Sequence, residues 1–220
     1  MGITLGKKQL NKGRVSLYLN YSYNGKRRKE YLGIILDAPT SAERRAENKN
    51  KILIARQYVE NWTDMKRKNV GLLLMGPVGT GKSFFAGCIA NALLEQGERV
   101  MMTNFSRILN EMTSYQADKN QIIQNLVDYP LLIIDDLGIE RNSEEQVYNV
   151  IDSRYCKMLP LIVTTNLGLN EMKSTDLDTA HQRIYSRILE MCVPIYCGGE
   201  DKRKEEGTEK LVQVQSLITG

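Results

Sequence analysis

Hydrophobic and polar positions change rhythm twice along this chain. Residues 14–19, RVSLYL, largely alternate, the pattern of a strand with one buried face. The alternation continues through NYSYNGKRRKEYLGIIL, broken only at Asn24-Gly25. Asn-Gly between two strand-like runs predicts a hairpin, because both central positions of the tight turn need positive φ. The next stretch, DAPTSAERRAENKNKILIARQYVENW, predicts a helix that starts after Pro39. Thr40 and Glu43 have capping-box spacing. Its first turns are charged, and it turns apolar from Ile52. From Val70 the rhythm becomes β-then-α. The runs VGLLLM, RVMMTN, PLLIIDD and PLIVTTN read as buried parallel strands, and CVPIYC reads the same way less strongly. Helical stretches separate them at 82–96, 104–114, 119–128, 143–158 and 181–191.

This order predicts an α/β protein, a three-layer domain with a mostly parallel sheet. A small α+β hairpin-and-helix unit precedes it, too small to be stable alone with any assurance. The expected divisions are 1–56, a helical linker at 57–69, the main domain at 70–205 and a tail at 206–220. The tail, EDKRKEEGTEKLVQVQSLITG in its fuller extent, reads as a short helix or a frayed end. There is no internal repeat.

Charge sharpens the division. The 220 residues carry a formal +4, but residues 1–56 hold 13 Lys and Arg against 4 Asp and Glu, a net of +9. Residues 57–220 hold 17 against 22, a net of −5. A basic segment on a mildly acidic body suggests a nucleic-acid contact on one side only. The apolar content of 42% and charged content of 25% are ordinary for a globular protein. No apolar run is long enough to span a membrane, and MGITLGKKQLNKG has no secretory h-region. A cytoplasmic location is expected. Cys88, Cys156, Cys192 and Cys197 are scattered and form no C-x-x-C pair, so reduced thiols are expected and a zinc site is not.

The chemistry is concentrated in GPVGTGKS. Gly76, Pro77, Val78, Gly79, Thr80, Gly81, Lys82 and Ser83 fit G-x-x-x-x-G-K-[ST]. The four fixed positions match by chance in roughly one per cent of chains of this length. A strand running in and a helix running out separate the match from an ordinary glycine-rich turn. Glycines let backbone N–H groups point inward at phosphate oxygens, and the helix adds its positive N-terminal end. Lys82 supplies a cation to the β and γ phosphates of ATP, and the Ser83 hydroxyl ligates Mg²⁺.

A second acidic site ends LLIIDDLG. Asp135, at the strand tip, is the expected Mg²⁺ partner, mostly through water. Asp136 is the candidate to orient or deprotonate an attacking water, a task more often given to Glu. An apolar strand ending in two aspartates is common in any sheet; the P-loop some fifty residues earlier gives it meaning. Asn166, ending PLIVTTN, suits either a γ-phosphate contact or a plain turn. Arg183 and Arg187 stand at i, i+4 on one helix face. Spacing favours a solvated face over a pair of arginine fingers, with Ile184, Ile188 and Leu189 in the core. His181 reads as structural or surface.

From about Tyr58 to Arg203 these segments resemble the DnaC/IstB-type AAA+ ATPases, the bacterial replicative-helicase loaders and their mobile-element relatives. The resemblance rests on NVGLLLMGPVGTGKSFFAGCIANALLEQG, MMTNFSRILNEM, LLIIDDLGIERNS, EQVYNVIDSRY, PLIVTTNL and RIYSRILEMCVPI. It implies ATP and Mg²⁺, and a homo-oligomer when ATP or DNA is bound. It makes Asn166 the sensor-1 residue and Arg187 the arginine finger, with Arg183 one turn before it. Arg203 falls where a sensor-2-like arginine is expected. It also implies DNA and a replicative helicase or transposase as partners. Between IERNSE and EQVYNVIDSRY the chain is a few residues shorter than the family pattern. Each residue removed turns the following helix by about 100°.

Residues 3–56 are similar instead to the arm-type DNA-binding domain of tyrosine recombinases. That resemblance implies that Lys26, Arg27, Arg28 and Lys29 contact DNA, with Tyr21, Tyr23 and Tyr31 shaping the face. The recombinase chemistry is absent: the third residue after His181 is Ile184, so H-x-x-R is not met. The expected function is ATP binding and hydrolysis in DNA replication or mobile-element maintenance. Two alternatives stay open at this point: a nucleotide-gated DNA-binding scaffold with little hydrolysis, and a non-functional fusion of two fragments.

Overall fold

The computed structural model describes the backbone of residues 4–9, 15–23, 26–36, 42–113, 118–137 and 144–199. It describes the side chains of Lys8 and of residues 49–113, 118–137 and 145–199. Two compact units divide between Ala55 and Arg56.

In the first unit, β1 (Thr4–Gln9), β2 (Val15–Tyr23) and β3 (Lys26–Leu36) form an antiparallel sheet in that order. The strands expected from alternation are β2 and β3, paired from Tyr23 opposite Lys26 to Val15 opposite Leu36. A register shift lies between Ser16 and Tyr18. Asn24-Gly25 itself lies outside the described residues. Strand β1, opposite β2 from Thr4–Asn20 to Gln9–Val15, was not legible in the sequence. Its residues, TLGKKQ, contain a glycine and two lysines and lack the β-branched alternation that marks a strand. Helix α1 (Ala42–Glu60) follows, and its length carries it across the division between the units. Thr40 and the side chain of Glu43, the expected capping pair, lie outside what is described.

In the second unit, the end of α1 and α2 (Trp62–Arg67) bury Tyr58, Val59 and Trp62. The Tyr58 hydroxyl donates to the Val70 carbonyl at 2.9 Å, fixing the entry into the sheet. Five strands follow: β4 (Gly71–Met75), β5 (Val100–Asn104), β6 (Leu131–Asp135), β7 (Leu161–Thr165) and β8 (Cys192–Tyr196). All are parallel, in the order β5-β6-β7-β4-β8. Parallel neighbours need crossovers, and these are α3 (Lys82–Glu95), α4 (Phe105–Met112), α5 (Lys119–Val127), α6 (Glu144–Cys156), α7 (Leu169–Met172) and α8 (Thr179–Met191).

Strand alternation sorts the core. Leu73, Met75, Leu132, Ile134, Leu161 and Val163 join one cluster with the buried faces of α4, α5, α6 and α8. The alternate positions Leu72, Leu74, Ile133 and Ile162 are buried too, and α3 lies against β4, β5, β6 and β7 with Phe85, Ile89 and Leu93 inward. Both faces of the sheet are therefore covered, which is why these strands read as continuous apolar runs.

Two close approaches set glycines. A Cβ at Gly71 would meet the Leu161 carbonyl oxygen of β7. One at Gly76, whose φ is +142°, would meet the Cys197 carbonyl oxygen, and the Cys197 N–H donates to Met75 O at 2.6 Å. Cys197, the residue after β8, is thus what pins the start of the P-loop.

Helix α6 presents Val147, Val150, Ile151 and Arg154 to the core, a continuous i, i+3, i+4, i+7 stripe.

Candidate nucleotide site

The strand order decides where the chemistry meets. β7 lies between β4 and β6, so the P-loop after β4, Asn166 after β7 and the aspartates of β6 occur at three adjacent C-terminal strand ends. Ligands of open α/β sheets bind at such ends.

The P-loop backbone turns at three left-handed glycines, Gly76, Gly79 (φ +77°) and Gly81 (φ +83°). A Cβ at Gly81 would project into open space with no atom within 4 Å, beside the start of α3. Thr80 is buried, and its hydroxyl donates to Pro77 O at 2.9 Å, bracing the loop. Lys82 is only 8% exposed. Its ammonium donates to Gly76 O, Pro77 O and Asn166 Oδ1, each at 2.7 Å. A buried ammonium needs such partners because removing it from water is costly. Ser83, half-buried, is the second residue of α3.

Asn166 faces both ways. Its Oδ1 accepts from Lys82, and its Nδ2 lies 3.5 Å from Asp136 Oδ1. Lys82 and Asp136, fifty-four positions apart in sequence, are thereby joined through one amide. Asp136 is a non-glycine residue with φ +56°. That conformation is costly for most residues but is tolerated by Asp and Asn.

Thr164 holds it. This buried β7 hydroxyl donates to Asp135 Oδ1 at 2.6 Å and accepts from the Asp136 N–H at 2.8 Å. One hydroxyl therefore sets both aspartates. Beside it, the Thr165 hydroxyl donates to Leu137 O and accepts from the Leu167 N–H, both at 3.1 Å. Sequence reasoning passed over both threonines as part of an apolar strand. The available signal was two consecutive hydroxyls at the end of an otherwise aliphatic run.

The donor set fits a nucleoside triphosphate: glycines of positive φ in the loop, a helix N-terminus, and a buried cation beside it. One hydroxyl and one carboxylate, Ser83 and Asp135, fit Mg²⁺, which keeps several of its waters.

Arg183 and Arg187 lie on α8 and meet α6. Arg187 Nε donates to Asp152 Oδ1 at 2.7 Å, and its Nη2 to the Tyr148 hydroxyl at 2.8 Å. Arg183 Nη2 donates to the same hydroxyl at 3.0 Å. Asp178 caps α8: its Oδ1 accepts the His181 N–H at 2.9 Å, and its Oδ2 lies 2.6 Å from the His181 imidazole Nδ1. Accepting that backbone N–H holds the Asp178 carboxyl below its ordinary value.

Lys26, Arg27, Arg28 and Lys29 open β3, in register with Tyr23, Ser22, Tyr21 and Asn20 of β2. Their side chains lie outside the description, and so does Arg203 altogether.

A parallel α/β sheet with a P-loop, an acidic strand tip and a polar strand end side by side defines an ATP-binding domain of the AAA+ type. The family profile of the IstB-like ATP binding proteins matches residues 45–210, and the chain belongs to that family. An Arm DNA-binding domain profile matches residues 3–69, so the two overlap on α1 and α2.

The replicative helicase loader DnaC of Escherichia coli strain K12 is 28% identical over 130 residues, 56% of this chain and 52% of DnaC. The replicative helicase loader DnaI of Bacillus subtilis strain 168 is 27% identical over 150 residues, 62% of this chain and 48% of DnaI. The chain thus spans about half the length of these curated relatives. A crystal structure of DnaI matches with a TM-score of 0.61 and 23% identity, over 70% of this chain and 84% of that one, a likeness of fold.

Proposed function

We propose that this protein binds and hydrolyses ATP with Mg²⁺ and acts on DNA in the cytoplasm as a helicase-loader-like AAA+ protein. The observation that carries the reading is the bridge from the P-loop ammonium of Lys82 through Asn166 to Asp136. It joins the phosphate-binding cation to the carboxylate beside which a water would attack. In this reading the N–H groups of Gly79, Thr80 and Gly81 and the Lys82 ammonium hold the β and γ phosphates. Ser83 and Asp135 hold Mg²⁺, which when bound neutralises charge on the phosphate oxygens. Asp136 orients the water, and Asn166 reports the γ-phosphate to it. Arg187, with Arg183 beside it, reaches the nucleotide of a neighbouring subunit, so self-association goes with ATP or DNA binding. Arg203 completes the nucleotide contacts.

The test is ATP hydrolysis with and without single- and double-stranded DNA, on the full chain and on residues 57–220. Hydrolysis stimulated by DNA and lost on Lys82→Ala or Asp135→Ala is expected. A wild-type protein that neither binds nor hydrolyses ATP overturns the proposal.

A second reading is favoured by the +9 charge of residues 1–56 and by the Arm DNA-binding match. Here Lys26, Arg27, Arg28 and Lys29 grip a DNA duplex, and the ATPase half acts as a nucleotide-gated scaffold. It predicts duplex binding with a steep salt slope that survives Lys82→Ala and vanishes when residues 1–56 are removed. Duplex binding that outlasts the truncation ends that reading.

A further inference from the structure

Two arginines of like charge share one aromatic ring on the α6–α8 face. The Arg183 guanidinium carbon lies 4.5 Å from the Tyr148 ring centroid, and that of Arg187 lies 4.7 Å from it. Both also donate to the Tyr148 hydroxyl. Arg187 lies a further 5.5 Å from the Tyr155 ring, whose hydroxyl is engaged by Glu190 at 2.8 Å. Against two guanidinium charges, the one carboxylate in direct contact among the described residues is Asp152, on Arg187. Neither member of that pair is deeply buried: the Arg187 and Asp152 side chains are 24% and 31% exposed. The cluster thus gathers cations more closely than it neutralises them, and an entering polyanion relieves the repulsion between them.

We infer that α6 carries a two-part seat for the arginines: Tyr148 is a positioning residue that presents Arg183 and Arg187 together, and Asp152 is a cis latch that a neighbouring subunit's nucleotide phosphates must displace. The inference rests on the reading of Arg187 as a finger acting in trans. The two parts have opposite signs. The Tyr148 ring lies under both guanidinium groups and still supports them when Arg187 leaves Asp152 for phosphate. Asp152 competes with phosphate for the same donor, Arg187 Nε. Helical spacing explains the division of labour, since Tyr148, Asp152 and Tyr155 lie at i, i+4 and i+7 on one face of α6. A seat whose members all merely stabilised the fold would show no such opposition.

The experiment measures ATP hydrolysis by the full chain against protein concentration, with Mg²⁺ and saturating ATP, and follows assembly by sedimentation with AMPPCP. Asp152→Asn is expected to lower the protein concentration of half-maximal activity about two- to fivefold, the loss of one partly exposed ion pair. Tyr148→Ala is expected to raise it by at least about two- to fivefold, and Tyr148→Phe, which keeps the ring, to restore most of the wild-type value. Should Tyr148→Ala lose its melting transition, Tyr148→Leu keeps the bulk without the aromatic face and is expected to behave as the Ala variant. Mixing Lys82→Ala with Arg187→Ala subunits is expected to recover activity that neither has alone. Adding Tyr148→Ala to the Lys82→Ala subunit is expected to move the recovery to at least about two- to fivefold higher protein concentration.

Arg187→Ala hydrolysis equal to wild type at every concentration removes the trans finger and the seat with it. Activity lost in Arg187→Ala, with Asp152→Asn and Tyr148→Ala shifting in the same direction or not at all, overturns the seat and leaves the finger standing.

Discussion

Arg154 offers the sharpest test of how this fold is held. It is fully buried, and burial lowers its guanidinium to about 10, still cationic at neutral pH. Nη1 donates to Leu126 O and Tyr129 O at 3.0 Å, and Nη2 donates to Pro130 O at 3.2 Å and Pro160 O at 2.7 Å. One side chain thereby ties the end of α5 and the approach to β6 to the residue before β7. Arg154→Met keeps much of the volume and removes all four of these hydrogen bonds. Each orphaned buried carbonyl costs about 1–3 kcal/mol. Relief from burying the cation offsets part of this, so a net loss of about 3–5 kcal/mol is expected, as when one partner of a buried charged contact is removed. For a unit of this size each kcal/mol moves Tm by about 2–4 °C, so a fall of about 10 °C is expected. Arg154→Lys, with one ammonium, is expected to fall in between. The site stands at the other end of the same strands, about 13–17 Å away at roughly 3.3 Å per residue. Urea unfolding and binding of a fluorescent ATP analogue should therefore separate: stability falls while the folded fraction binds with unchanged affinity. A Met variant within about 2 °C of wild type would refute the reasoning.

Four further outcomes are expected. Thr164→Val, nearly isosteric, should weaken Mg²⁺-dependent ATP-analogue binding and cost about 1–3 kcal/mol in stability, with Thr164→Ser restoring the binding; Mg²⁺ titration of the bound analogue's fluorescence measures it. Gly76→Ala should cost about 1–3 kcal/mol through collision with the Cys197 carbonyl, read by thermal melting. In native protein, iodoacetamide should modify the exposed Cys156 first and leave the buried Cys192 and Cys197 unmodified, since burial pushes the Cys192 thiol up; peptide mass spectrometry decides. The Asp178 cap should contribute fully above the ordinary carboxylate range and be lost as pH falls through its depressed value, because the folded state binds the proton less readily than the unfolded one. Acid melting curves of wild type and Asp178→Asn should then differ in pH dependence at the acid end, the variant keeping a cap acceptor that does not titrate.

Much of the fold could be read from pattern alone. Five apolar runs became five parallel strands, and the central three, β4, β6 and β7, are buried on both faces and have few polar positions to spare. The P-loop was legible because phosphate binding requires glycines, a lysine and a hydroxyl at fixed spacing within a strand–turn–helix. Strand β1 was not, since TLGKKQ carries little strand propensity and gains its hydrogen bonds only from β2. Arg154 was half legible: it falls on the apolar stripe of α6, but an arginine there reads as an edge residue until four carbonyls converge on it. Tyr148 and Asp152 carried no signal, because their meaning lies across the gap to α8.

The amino-acid sequence by itself determined which residues are candidates for the chemistry: GPVGTGKS, Asp135 and Asp136, Asn166 as one of two readings, and a basic segment distinct in charge from the rest. Spacing and residue type are local requirements, and a linear chain records them. The tertiary structure decided which of these meet. Inserting β7 between β4 and β6 sets Asn166 between Lys82 and Asp136, and lets the Thr164 hydroxyl hold two aspartates of another strand. Strand order is set by how crossovers bury both faces of the sheet, a property of the whole domain that no local pattern encodes.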